Sequence, residues 1–333
     1  MGVVMKKYNI SYNEYLNKLS KEEITFYLNF FDLKYKTNNK KEILINILVN
    51  SSEEITKYAF NLFQNDELKN LKIVIKNKGY VEPKTNYLLK YFLDNLNRLG
   101  MVYKLEDDKY IMPKEILKYF KEYLKDKKLL KKIKNNTKEY NLIMGILNVY
   151  GVLKFKDFYT IYNKIYSINE QQLFENLNIL KKFYEEFNII KTKKDKYICN
   201  NYFQKETDCK KYINIKLDYK EFSKIDLLNV SNYKYMTKYK SYKKMLSFVK
   251  KNYYLDEKDV RIFHKYIILP YLNNIQTNNN CAEDNLSKSI DKYFEYKNEK
   301  HKTKFINLVK NIVDDYPMWN LHGYSKREEK CQN

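Results

Sequence analysis

The chain has little of what makes a backbone turn sharply. Only 6 glycines and 4 prolines occur in 333 residues, too few for a strand-rich fold with many tight turns, and too few for the glycine-rich loops that cradle phosphates. A mainly α protein is expected. The four cysteines, Cys199, Cys209, Cys281 and Cys331, are scattered without a C-x-x-C pair, which indicates neither a zinc ribbon nor a disulfide framework. Three histidines occur: His264 in an apolar helical stretch, His301 and His322 among charged or tail residues. None sits beside a Ser or Cys nucleophile in a catalytic motif, and a phosphate loop, a Gly-x-Gly-x-x-Gly turn, a His-Glu-x-x-His helix and a Gly-x-Ser-x-Gly elbow are all missing. The expectation is a protein that is not an enzyme, needs no cofactor and binds no metal. No long apolar run is present, and Met1 to Tyr15 turns polar at Lys6 and Lys7, so neither a membrane span nor a signal peptide is read, and a cytoplasmic location is expected.

Against these absences stands an excess of positive charge. The 63 Lys and Arg residues outnumber 41 Asp and Glu, for a net charge of +22, and such a surface attracts polyanions, of which nucleic acid is the default. The frequency of Lys, Asn, Ile and Tyr is also that of an AT-rich coding genome, which by itself raises lysine. With 44% hydrophobic and 16% aromatic residues the chain has ample material for burial, and its length suggests two or three modules.

Ser20 and Glu23 have the spacing of a capping box and open a helical pattern through Ile24, Tyr27, Leu28 and Phe31. A polar turn, Asp32 to Asn39, leads to Lys40-Lys41-Glu42 and a second apolar set, Ile43, Leu44, Ile47 and Leu48. This helical hairpin, about Leu19 to Val49, resembles the SAP and Rho N-terminal modules, which implies DNA or RNA binding in many members and a purely structural role in others.

Two further segments share one order. In the first, a helix marked by Leu71, Val74 and Ile75 stops at Gly79, Pro83 opens another through Leu88, Phe92 and Leu96, and a hairpin follows with strands Met101–Lys104 and Lys109–Met112. In the second, a helix ends at Gly151, others cover Phe155–Tyr166 and Leu173–Phe187, and a hairpin runs from Ile189-Ile190-Lys191 to Lys196-Tyr197-Ile198. Asp108-Lys109-Tyr110-Ile111 aligns with Asp195-Lys196-Tyr197-Ile198, and Lys104 with Lys191, all 87 residues apart. Helices followed by a two-stranded wing describe the winged-helix form of the helix-turn-helix. Between the two units, Lys118 to Lys138 carries nine lysines against Glu122 and Asp126, read as a basic connector. Phe203 to Ser231 reads as irregular and polar, and four helical stretches follow it, near Tyr239–Tyr253, Glu257–Gln276, Asp284–Tyr296 and Thr303–Val313.

The segment Tyr316 to Ser325, with Trp319 and Gly323, resembles one found in uncharacterised bacterial proteins that join a Rho-N-like hairpin, winged-helix-like units and a helical region, often ahead of a SecA-type zinc motif. That zinc motif is missing here. The expected division is a SAP/Rho-N-like hairpin at 1–50, winged-helix-like units at 51–125 and 138–203 with the connector at 126–137, a linker at 204–232 and a helical domain at 233–333.

Three sets of residues are candidates for contact with a DNA or RNA backbone. Lys84, Asn86, Tyr87 and Lys90 open the first recognition helix. Lys191, Lys193, Lys194 and Lys196 surround a single Asp195 in the second wing, whereas the first wing tip, Glu106-Asp107-Asp108, reads as a solvated acidic turn. The acid-free stretch Leu227–Leu255 alternates lysines, among them Lys234, Lys238, Lys240, Lys243 and Lys244, with Tyr233, Tyr235, Tyr239, Tyr242, Tyr253 and Tyr254, a pattern suited to phosphate contact and base stacking. The second recognition helix, with Asn169, Glu170, Gln171, Gln172 and Glu175, offers amides without a cation. The function these features imply is a non-enzymatic regulator that binds nucleic acid, most simply DNA. The alternative is an adaptor or inhibitor, of the kind a phage or other mobile element encodes, whose winged helices bind a protein partner.

Overall fold

A computed structural model describes residues 9–84, 86–230, 233–253, 255–277, 281–296 and 298–332. The chain is mainly helical with two small antiparallel sheets and divides into two compact units, residues 1–138 and 139–333.

The first unit opens with α1 (Tyr12–Asn17) and α2 (Lys21–Phe30), each started by a reciprocal capping box, Ser11 with Glu14 and Ser20 with Glu23. Then come α3 (Lys41–Asn50), α4 (Ser52–Leu62), α5 (Asn65–Lys76), β1 (Tyr80–Val81), α6 (Tyr87–Arg98), β2 (Tyr103–Lys104), β3 (Tyr110–Ile111) and α7 (Lys114–Tyr123). Helix α3 buries Leu44, Ile45 and Leu48 and leaves Ile43 exposed, so its inward face is turned by one position from the sequence expectation. Aromatic rings fill the centre: Phe63 stacks on Phe120 at 5.6 Å and meets Phe92 edge-on at 5.5 Å. The lysine-rich stretch expected as a connector is helical. It begins α8, a single helix from Lys127 to Tyr150 in which the two units divide.

The second unit continues with β4 (Val152–Lys154), α9 (Phe155–Asn163), α10 (Glu170–Phe183), β5 (Phe187–Lys191) and β6 (Lys196–Asn200). The segment expected to be irregular holds α11 (Glu206–Ile213) and α12 (Lys224–Val230), which bury Cys209, Leu227 and Val230. Beyond it lie α13 (Lys240–Tyr253), α14 (Glu257–Phe263), α15 (Leu269–Gln276), α16 (Ala282–Tyr293), α17 (Glu299–Lys310) and α18 (Lys326–Gln332). A π-turn, His264–Ile268, joins α14 to α15. Pro270 explains it, since a proline ring crowds the carbonyl four residues earlier and a widened turn relieves that contact.

Each sheet has its third strand in the middle: β1-β3-β2 and β4-β6-β5. The gap-free match between the hairpins does not survive in register. Lys104 pairs with Tyr110, but Ile190 pairs with Tyr197 and Lys191 with Lys196. The first turn therefore holds one residue more than the second, and Lys104 and Lys191 occupy different strand positions. The strands β1 and β4 that complete the sheets were not expected from the sequence.

The C-terminal segment is packed into the core of the second unit. Trp319 is fully buried among Val152, Tyr197, Cys199, Phe203 and Cys209, donates its indole N–H to the Asn148 carbonyl at 3.0 Å and its backbone N–H to Gln276 Oε1 at 2.7 Å. Its ring lies against Gly151, whose φ is +72° and where a Cβ would fall 2.4 Å from the indole. A second close approach fixes α8 against α12: a Cβ on Gly145 would lie 1.8 Å from the Leu227 carbonyl oxygen. In an open helix Gly→Ala gains about 1 kcal/mol. Gly145→Ala is expected instead to lower stability by about 1–3 kcal/mol through overpacking, read from the urea midpoint, and a stabilised variant would contradict this packing.

Candidate nucleic-acid interface

Helix α6, expected from the sequence as a first recognition helix, is largely committed to its own unit. Lys84 is exposed but lies in the turn before the helix with a left-handed backbone, φ 49°, instead of on the helix itself. Asn86 is the N-cap, accepting the Leu89 N–H at 3.1 Å. Tyr87 is 38% exposed. Lys90 forms an ion pair with Asp108 across the wing. Asp108 also takes Lys104 at 3.3 Å, and Lys104 in turn reaches Asp94 at 3.2 Å. The Lys90 ammonium and then that of Lys104 hold the Asp108 carboxyl below the usual carboxylate range. In the first hairpin turn, the 3₁₀ segment Glu106–Asp108, Asp108 is folded back onto the two lysines while Glu106 stays exposed, as a solvated acidic turn would have it. A cation already paired has less to gain from a phosphate.

The β5–β6 hairpin, expected from the sequence as the second wing, has the opposite arrangement. Lys191, Lys193, Lys194 and Lys196 are all exposed; Asp195, the acid within the hairpin turn, is drawn to Lys154 at 3.3 Å, and Glu170 at the start of α10 lines the same cleft as Lys196 and Phe174. Lys191 and Lys196 face each other across the β5–β6 ladder, a like-charge pair that costs stability unless something lies between. Phe174 of α10 does: its ring carries both ammonium groups, 5.2 Å and 4.3 Å from the centroid. Lys154 and Phe174 are parts of this surface that sequence reasoning missed. Both act across elements, and the helical period of α10 marks Leu173 and Leu177 as core without singling out Phe174. The neighbouring start of α10 is neutral to acidic, with Asn169 capping the Gln171 and Gln172 N–H groups and the Gln171 amide donating to Glu175 at 3.0 Å.

The acid-free stretch splits by residue type. Tyr235 and Tyr242 are buried, Tyr239 hydrogen-bonds Tyr235, Tyr253 packs on Phe294 and Phe305, and Tyr233 donates to Glu257 at 2.7 Å. Tyr254 lies outside the described residues. Tyr235 and Tyr242 are therefore core, and Tyr233, Tyr239 and Tyr253 are each held by a hydrogen bond or ring contact. Helix α13 turns Tyr242, Met245 and Val249 inward and sends Lys240, Lys243, Lys244, Lys250 and Lys251 outward. Lys238 is held by Asp226 at 3.2 Å over the Tyr235 ring, and Lys234 is exposed at the start of this segment.

Most of the remaining histidine and cysteine side chains described are buried in packing. His322 is buried, with Nδ1 2.5 Å from the Leu217 carbonyl and Nε2 2.8 Å from that of Tyr212. Cys199 and Cys209 are buried and Cys281 exposed, while the Cys331 side chain lies outside those described. Among the described residues no group of three or more potential ligands forms a metal site, and no helix is long and apolar enough to cross a membrane. No family model, curated protein or solved structure matches the chain.

His264 is fully buried, its Nδ1 3.0 Å from the Tyr242 hydroxyl, and burial pushes its imidazole down to about 3. The unfolded chain, with a histidine near 6.5, then takes up a proton that the folded chain refuses. Stability is therefore full above pH 6.5 and falls as the pH drops from there toward 3, by up to about 1.4 kcal/mol per unit. Urea unfolding at pH 6.5 and 5.0 should show a smaller decrease for His264→Gln than for the wild type, and equal decreases would mean that His264 is not held neutral.

Proposed function

We propose that this protein is a non-enzymatic nucleic-acid-binding regulator that holds duplex DNA through backbone phosphates, with the second wing as its leading contact. The observation that carries this reading is the second wing itself. Four exposed lysines stand there with no ion pair to a carboxylate among the described residues, two of them opposed across the ladder over one aromatic ring. The helix–strand–helix–helix–strand–strand order with sheet order β4-β6-β5 supports a winged-helix assignment for this unit, and the matching order β1-β3-β2 supports a related one in the first. The α2–α3 hairpin fits the SAP or Rho-N resemblance. Exposed lysines of α13 extend the phosphate-binding surface. The alternative, a protein partner, is favoured at one place only, the start of α10, where Glu170 and Glu175 with the paired Gln171 would meet phosphate with like charge.

Binding of a short duplex, followed by fluorescence anisotropy, is expected at low salt and to weaken steeply as salt rises. Replacing Lys191, Lys193, Lys194 and Lys196 by Gln should flatten the slope of log affinity against log salt by up to about 0.9 for each phosphate no longer neutralised. No binding at low salt, or an unchanged slope in the wing variant, would overturn the reading.

A further inference from the structure

The first three turns of α8, residues 127–138, carry six exposed lysines with no ion pair among the described residues. Leu129, Leu130, Asn136 and Thr137 are half-buried and Ile133 is buried, while Lys127, Lys128, Lys131, Lys132, Lys134 and Lys138 are all exposed. At 100° per residue the inward set lies within about 60° of Ile133, and the six lysines cover the opposite face. No acid occurs from Lys127 to Lys138, and none of the six lysines has a carboxylate partner among the described residues. Asp126, at the head of the helix, accepts the Lys128 and Leu129 N–H groups at 2.8 and 3.2 Å.

The face is fixed in place from behind. The Asn136 amide donates to the Asn61 and Phe63 carbonyls at 2.6 and 3.3 Å, and Thr137 Oγ1 accepts the Asn65 N–H at 3.0 Å. These contacts fix which face of the helix turns outward, so its lysines stay on the exposed side. Lysines three or four apart repel along the ridge, and cations at the N-terminal end of a helix also oppose its dipole. A bound polyanion relieves both. The exposed positions hold lysine and Asn135 with no apolar residue, so the face lacks the apolar stripe with which an amphipathic helix enters a membrane. Lys127 to Lys138 spans about 16 Å of helix, a length over which a duplex, at one phosphate per ~1.7 Å of axis with both strands counted, carries more negative charges than the ridge has lysines.

We infer that the ridge formed by Lys127, Lys131, Lys134 and Lys138, flanked by Lys128 and Lys132, is a second phosphate-docking surface for duplex nucleic acid, separate from the wing. This inference rests on the nucleic-acid reading above and adds a site to it in the other unit.

The test measures the salt slope of duplex binding for the full chain, for Lys127, Lys131, Lys134 and Lys138 changed to Gln, and for the same four changed to Arg, with circular dichroism and melting to establish that each is folded. In the Gln variant the slope should flatten by up to about 0.9 for each phosphate left without its cation, and the Arg variant, which keeps the charges, should retain the wild-type slope. If the wild type binds duplex and the Gln variant matches it, the ridge inference fails while the wing reading stands. A wild type that binds no duplex overturns both. Vesicles rich in phosphatidylserine form the last arm: binding to them that is abolished in the Gln variant, with duplex affinity unchanged, would assign the ridge to a membrane surface and overturn the inference.

Discussion

The closing of the second unit depends on one close approach, the Trp319 indole against the bare backbone of Gly151. Any side chain at that glycine would meet the ring, and its φ of +72° is one that glycine adopts without strain. The contact lies where α8 turns into β4, so one ring joins the end of the longest helix to the sheet that carries the second wing. Gln276 completes the arrangement by accepting the Trp319 N–H and donating to the Pro317 carbonyl at 2.8 Å, while the Tyr212 hydroxyl donates to the Gln276 carbonyl at 2.8 Å. Burial of so large an aromatic surface, with its single polar atom satisfied, holds β4 and β6 in register beneath the wing.

On that frame the acids decide which lysines remain available. Asp108 and Asp226 occupy Lys90 and Lys238, and Asp94 takes Lys104, so parts of the first wing and of the stretch before α13 are neutralised locally. Asp195 is drawn off by Lys154, which leaves the second wing positive. The lysines of the proposed surfaces that have no ion pair among the described residues lie on the exposed sides of elements whose reverse sides are buried, on the β5–β6 hairpin, on α13 and on the first turns of α8.

Much of the architecture was legible because it is local. The capping box at Ser20 and Glu23, the helices of the C-terminal region and the change of period at each hairpin all rest on neighbours a few residues apart. What escaped rests on distance. The two- and three-residue strands β1 and β4 are too short to show a period of two. The docking of Trp319 joins residues 171 apart in sequence, and the buried His322 reads as tail until Tyr219 and the carbonyls around it are in place. In a chain with 35 tyrosines a tyrosine beside a lysine is compatible with core and surface alike, so Tyr235 and Tyr242 could be assigned to the interior only by tertiary structure. The lysine partners Asp94, Asp108 and Asp226 are likewise set by folding, which is why charge runs alone ranked Lys90 and Lys238 beside the wing lysines.

The central proposal is that duplex nucleic acid is bound by the lysines that the acids leave unpaired. The most direct test is the salt dependence of duplex affinity for a Lys90→Gln, Lys238→Gln double variant, compared with the wild type. Because both cations are already held by Asp108 and Asp226, the slope of log affinity against log salt is predicted to stay within about 0.3 of the wild-type value, well below the ~0.9 that one neutralised phosphate contributes. A slope flattened by about 2, the share of two fully neutralised phosphates, would show that paired lysines bind phosphate as well as free ones do, and would contradict the account.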